Sequence, residues 1–106
     1  MKHDIFQAIA DPTRRAILVL IATQSMTPNA LSEHFNTSRQ AVSKHIQVLT
    51  ETQLLQQEKS GREIYYYFNP DKMKEVDQWL EQFRNLWENR FDQLEQYLSQ
   101  TKIKKS

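Results

Sequence analysis

Apolar positions along the chain fall into short helical stripes separated by a few sharp breaks. Ile5, Phe6 and Ile9 recur at helical spacing before Asp11-Pro12, which predicts a short first helix. Asp is a good N-cap and Pro is favoured at the first helical position, so a second helix should open at Pro12. Its apolar positions are Ile17, Leu18, Leu20 and Ile21, and it should end near Gln24. Thr27-Pro28 repeats the signature and opens a short helix to Phe35, with Leu31 and Phe35 on one face. Next comes Asn36-Thr37-Ser38-Arg39-Gln40. Thr37 with Gln40 fits a capping box, and Ser38 is an alternative cap. The helix that follows carries its apolar stripe at Ala41, Val42, Ile46 and Leu49 and is expected to run from Ser38 to about Thr50.

The period then changes. Gln56 to Lys59 and Glu63 to Phe68 flank Ser60-Gly61, and the second run is aromatic and suited to a strand. Gly61 lies where a hairpin turn needs positive φ, so a two-stranded hairpin is expected. Ile64, Tyr66 and Phe68 should face one side, Tyr65 and Tyr67 the other. Asn69-Pro70 then opens a long helix, free of Gly and Pro from Asp71 to about Gln100. Thirty helical residues would span ~45 Å. The expected class is mainly α with a small β-hairpin and no parallel sheet, because no βαβ pattern occurs. One domain is expected over residues 1–100: a helix-turn-helix at about 28–50, a hairpin at about 55–69 and a long helix at about 71–100. A frayed basic tail would follow at 101–106, containing Lys102, Lys104 and Lys105.

Composition removes whole classes of chemistry. The chain has 106 residues, 25% charged and 39% hydrophobic, with no Cys and a single Gly. Its mean hydropathy is −0.74. Without Cys there are no disulfides, thiolate metal sites or Cys nucleophiles. One Gly leaves no dinucleotide loop and no phosphate loop. No nucleophile elbow occurs either, so an enzyme is not expected. No run approaches the ~18 apolar residues of a membrane span. No apolar signal core follows Met1-Lys2-His3-Asp4, so a cytoplasmic location is expected.

Function must therefore come from local arrangement. Two short helices joined by a tight connection have helix-turn-helix geometry. The second helix turns Arg39, Gln40, Ser43, Lys44 and Gln47 outward, with Ser38 at its start, and has no Asp or Glu from Ser38 to Leu49. Arg suits guanine, Gln suits adenine, and Ser and Lys reach bases or phosphates; a carboxylate there would meet phosphate repulsion. Lys59 and Arg62 flank the tip of the hairpin that follows. A basic hairpin beside a helix-turn-helix looks like the wing of a winged helix, where cations hold backbone phosphate and set orientation. Taken singly, a polar helix face or a basic turn is more often plain solvated surface.

Ala10-Asp11-Pro12-Thr13-Arg14-Arg15-Ala16-Ile17-Leu18 resembles the opening signature of ArsR-type winged-helix repressors. Leu31-Ser32 with the run Ser38 to Leu49 resembles their helix-turn-helix, and Gly61 to Pro70 their wing and its exit. The likeness covers roughly residues 3 to 98. It implies a homodimeric, cytoplasmic bacterial or archaeal transcription regulator, usually a repressor. By that likeness Ser38, Arg39, Gln40, Ser43, Lys44 and Gln47 read double-stranded DNA, with Arg62 and Lys59 in the wing. Metal sensors of the family use Cys pairs or terminal-helix Asp/His and His/Glu sets. This chain has no Cys and no His on its last helix, so neither metal nor cofactor is carried over, and it resembles the cysteine-free branch. A metal-responsive site built from His3, His34 and His45 stays open as an alternative.

The long helix carries Met73, Val76, Trp79, Leu80, Phe83, Leu86, Trp87, Phe91, Leu94, Tyr97 and Leu98, with Arg90 interrupting the stripe. So wide an apolar surface suggests two buried faces, one on its own domain and one on a partner. A two-fold dimer is expected through Trp79, Phe83, Leu86, Trp87 and Leu94, together with Ile5, Phe6 and Ile9. Such a pair would place two recognition helices ~34 Å apart, on an inverted-repeat operator. Two alternatives remain: an ordinary core helix, and a protein-interaction module in which the aromatic helix binds another protein. An effector, small molecule or protein, is also left open. Lys plus Arg is 14 against 13 Asp plus Glu, a net charge of +1, but the balance is uneven. Residues 75–98 hold six acids and two bases, while the remainder holds 12 bases and seven acids.

Overall fold

A computed structural model describes the backbone of residues 4–105 and the side chains of residues 4–100. The element order is α1 (Ile5–Ala8), α2 (Pro12–Thr23), α3 (Pro28–Ser32), α4 (Arg39–Glu51), β1 (Leu55–Ser60), β2 (Glu63–Phe68) and α5 (Pro70–Lys105). The mainly helical fold with one antiparallel hairpin is the one expected from the pattern. Contacts divide the chain into two units, Met1–Lys74 and Glu75–Ser106.

Local chemistry starts each helix of the first unit. Asp4 caps α1 through a capping box with Gln7. The side chains of Asp11 and Thr27 accept from the backbone N–H of Arg14 and Ala30, and Pro follows each cap at the first helical position. At α4 the cap is Ser38, whose Oγ accepts from the Ala41 N–H at 3.1 Å; the Thr37–Gln40 box is not the one used. α3 ends at Ser32, short of Phe35. The His34 and Phe35 N–H groups bond to Leu31 and Ser32 carbonyls three residues back, tightening the chain out of α-helix.

α4 ends without the usual glycine. Gln53 takes φ +67°, the left-handed conformation. The Gln53 N–H donates to Thr50 and the Leu54 N–H to Leu49, both at 3.0 Å, the double bond of a Schellman motif. Leu49 and Leu54 are both fully buried, which supplies the apolar contact of that motif. Asn69 Nδ2 donates to the Gln53 carbonyl at 2.9 Å and ties the hairpin exit to the end of α4.

The core of the first unit is Ile5, Ala8, Ile17, Leu18, Ile21, Leu31, Val42, Ile46, Leu49, Leu54 and Leu55. It gathers the inward faces of α2, α3 and α4 under the base of the hairpin, where Leu55 pairs with Phe68. Burying one such aliphatic side chain is worth about 1.5–3 kcal/mol. β1 and β2 run antiparallel from Leu55↔Phe68 to Ser60↔Glu63. The turn is therefore Gly61-Arg62, with Gly61 at φ +64°, matching the sign pattern of a type II′ turn. On its other side Tyr66 exchanges both backbone bonds with Met26, at 2.8 and 3.2 Å. The α2–α3 connection thus adds a single bridge to the sheet.

The second unit is the body of α5. The helix continues to Lys105, past the end expected near Gln100, because no Gly or Pro stops it. Trp79 and Phe83 meet edge to face with ring centroids 4.9 Å apart. Arg84 pairs with Asp77 and Glu81, and these carboxylates push its pKa above the ordinary value.

Candidate nucleic-acid interface

The helix-turn-helix is made by α3 and α4, which pack together around Leu31, Val42 and Ile46. Burial of Val42, Ile46 and Leu49 fixes which side of α4 faces inward. Ser38, Arg39, Gln40, Ser43, Lys44 and Gln47 are left exposed on the other side. Arg39, Gln40, Ser43 and Lys44 line one shallow depression. Ser43 and Gln47 also border a groove between α4 and the hairpin, completed by Thr50, Glu51, Gln57 and Tyr66. Thr50 and Gln57 were not among the expected site residues; a groove between two elements leaves no periodic trace in sequence. The stretch without carboxylates ends at Glu51, whose Oε1 accepts from Gln47 Nε2 at 3.4 Å. Gln47 is therefore held by its neighbour one turn on, unlike the arrangement expected for a plain reading position.

The hairpin puts Arg62 in the turn and Lys59 opposite Ile64, both exposed. Beside them Tyr65 donates its hydroxyl to Glu63 Oε2 at 3.0 Å, and this bond to a carboxylate raises the Tyr65 pKa.

Sequence reasoning gave Arg14 and Arg15 no part in a site and considered His45 only for the alternative metal-responsive site. Arg14 Nε donates to the Ala8 carbonyl at 2.7 Å and Nη2 to the Gln7 carbonyl at 3.0 Å. Arg15 Nη1 donates to the Ile9 carbonyl at 2.9 Å. The two arginines thus satisfy carbonyls at the end of α1, a helix only four residues long. Their side chains thereby tie the start of α2 to the end of α1. The Asp11 carboxyl is held below its usual value, first by the bond from the Arg14 backbone N–H; burial opposes this, and nearby positive charge adds to the lowering. His45 is half-buried behind α4, and His34 is exposed. His3 lies outside the described residues. Among the described residues no group of three or more His, Asp or Glu could hold a metal ion.

Of the expected dimer residues, Phe6, Trp79, Phe83, Leu86, Trp87 and Leu94 are exposed, from 38% at Phe83 to 62% at Trp87. Ile9 is half-buried. Ile5 lies in the core at 5% exposure, its surface already taken up within the first unit. Leu86, Trp87, Arg90 and Phe91 form one apolar patch on α5. No helix of the described residues is long and apolar enough to cross a membrane.

A helix-turn-helix followed at once by a two-stranded wing defines the winged helix-turn-helix class of DNA-binding domains. Residues 9–58 match the family described as Helix-turn-helix domain. The chain is 34% identical over 87 residues to the transcriptional repressor SdpR of Bacillus subtilis, covering 82% of this chain and 97% of that one. An ArsR-like transcriptional regulator from Rhodococcus sp. RHA1 superimposes with a TM-score of 0.68 at 29% identity, over 87% of each chain. A homodimeric winged helix-turn-helix DNA-binding domain from Mycobacterium bovis shares the fold at 21% identity, with a TM-score of 0.61 over 73% of this chain and 74% of that one. The chain belongs to the ArsR family of winged helix-turn-helix transcriptional regulators, whose work is binding DNA rather than catalysis.

Proposed function

We propose that this chain is a cytoplasmic, sequence-specific repressor that binds an inverted-repeat operator as a homodimer. The observation that carries the reading is the exposed, carboxylate-free face of α4 from Ser38 through Gln47, beside a hairpin with Lys59 and Arg62 at its tip. Arg39, Gln40, Ser43 and Lys44 reach base edges, Ser38 and Gln47 extend the same face, and the wing cations hold phosphate. Repression follows the likeness to SdpR.

The dimer surface is built on α5 through Trp79, Phe83, Leu86, Trp87 and Leu94; Phe6 of α1 and Ile9, which follows α1, offer a further contact from the first unit, while Ile5 is buried there. Exposure of so many aromatic and aliphatic side chains supports this, since Trp and Phe are enriched where chains meet. The Mycobacterium bovis domain that shares the fold is itself homodimeric. Two-fold pairing would present two α4 helices about 34 Å apart, one turn of duplex.

The test is selection of a duplex from a random pool, followed by gel-shift titration. Arg39→Ala or Gln40→Ala should relax preference at one base position, at a cost of about 1–3 kcal/mol. Arg62→Ala should weaken binding to all sequences alike and lower the salt slope by about one. Unchanged operator affinity in both Arg39→Ala and Lys44→Ala would show that the reading face is elsewhere. Sedimentation of the isolated chain tests the dimer. A monomer that associates only with a different protein would favour an interaction module built on α5.

A further inference from the structure

The recognition helix is fastened to the start of α2 by a polar cluster on the side away from its exposed face. His45 Nδ1 lies 3.4 Å from Arg14 Nη1 and 3.9 Å from Asp11 Oδ2. The guanidinium of Arg14 is anchored in turn, because its other nitrogens donate to the Ala8 and Gln7 carbonyls of α1. Asp11 is anchored too, since its carboxylate caps α2 through the Arg14 N–H at 3.0 Å. His45 thus meets two groups whose positions are set by other elements. A guanidinium only donates, so in this contact Nδ1 is the accepting nitrogen.

The geometry of α4 gives this contact a particular use. At 3.6 residues per turn, Arg39, Gln40, Ser43, Lys44 and Gln47 fall within an arc of about 140°. On the same wheel His45 falls nearly opposite the middle of that arc. The inward contacts of Val42, Ile46 and Leu49 are apolar, and apolar burial has no preferred direction. A helix held by such contacts alone can roll slightly at little cost. A hydrogen bond is directional, and one placed behind the helix resists that roll. Base readout is sensitive to it, because a binding constellation must be held within about 0.5 Å and 10–20°.

We propose that His45 is a positioning residue: by accepting from Arg14 it fixes the roll of α4 about its own axis, and so sets how far the chain prefers its operator over other DNA. This rests on the DNA-binding reading above. Phosphate contacts tolerate a small roll and base contacts do not, so the signature is a loss confined to the specific site.

The experiment titrates wild type, His45→Leu, His45→Gln and His45→Asn against the selected operator and a scrambled duplex of equal length, with thermal unfolding in parallel. Leu keeps the bulk and removes the acceptor. Gln moves its amide toward the Nε2 position, and Asn places a carbonyl where Nδ1 stood. His45→Leu and His45→Gln should lose roughly tenfold or more on the operator with little change on the scrambled duplex, since small misplacements are costly where geometry is read. His45→Asn should recover most of that loss. Should His45→Leu fail to fold, the pair Gln and Asn still decides. Operator affinity unchanged in His45→Gln overturns the inference. Equal losses on both duplexes, or an Asn variant no better than Gln, overturn it as well. A wild-type chain that selects no sequence overturns the DNA-binding reading and this inference with it.

Discussion

Gln53 is the one non-glycine residue among those described with positive φ, and replacing it offers a direct measurement of the strain at the end of α4. An L-residue in the left-handed region loses about 1–2 kcal/mol to contact between Cβ and its own backbone. Gly removes that cost but enlarges the conformational freedom of the unfolded chain, which takes back about 0.4–1 kcal/mol. The carbonyl that Asn69 binds and both bonds of the Schellman motif are main-chain groups, so a Gly substitution keeps them all. Gln53→Gly should therefore stabilise the protein by roughly 0.5–1 kcal/mol, or a few degrees in Tm for a domain of this size. The assay is urea or thermal unfolding at one fixed protein concentration, because self-association would shift the midpoint by mass action. Gln53→Val is the paired control and should lose about 1 kcal/mol or more, since a β-branched residue suits positive φ worse than Gln. A Gly variant no more stable than wild type, beside a Val variant equal to both, would mean that position 53 is not strained.

Three further outcomes follow from the same geometry. Asp11→Ala removes the cap of α2 and should cost about 1 kcal/mol near neutral pH in urea unfolding. The folded carboxyl titrates below its ordinary 3.8, so the wild-type advantage is present above that pH and lost as pH falls through the lowered value; a gap that stayed constant down to strong acid would contradict this. Leu31 is the buried residue of α3 and fully enclosed, so Leu31→Ala should cost 2–5 kcal/mol by thermal unfolding and weaken operator binding with it. Trp87 is 62% exposed in the protomer, so Trp87→Glu should leave the first unit folded by circular dichroism while weakening the dimer by about 2–4 kcal/mol in sedimentation; an unchanged sedimentation profile would remove α5 from the proposed interface.

What could be read from sequence was what is decided locally. Asp11-Pro12, Thr27-Pro28 and Ser38 each mark a helix start within four residues, so their signals survive without knowledge of the fold. Gly61 marks the turn for the same reason. The exposed face of α4 was legible because burial of Val42, Ile46 and Leu49 obeys the helical period. Features set at a distance were not legible. The Met26–Tyr66 bridge joins residues forty apart along the chain, and Arg14 reaches both α1 and His45. Ile5 and Phe6 look alike as sequence, yet one is in the core and the other is exposed, because a four-residue helix has no periodicity long enough to orient it. The Schellman motif was hidden because its left-handed residue is Gln rather than Gly.

The Met26 bridge covers one side of β2 at Tyr66, while β1 is the edge of the sheet. An open strand edge is a template on which a second copy of the same chain can add its own strand, and runs of such additions grow into fibrils. In β1 the exposed stretch reads Gln56, Gln57, Glu58, Lys59 and Ser60, with polar side chains on both faces and a charge of each sign. Stacking copies in register would set Glu58 against Glu58 and Lys59 against Lys59, each desolvated beside its like. The Lys59 proposed for phosphate thus carries a like-charge penalty against such stacking, and a mutation chosen only to weaken DNA contact at that position would remove that penalty as well.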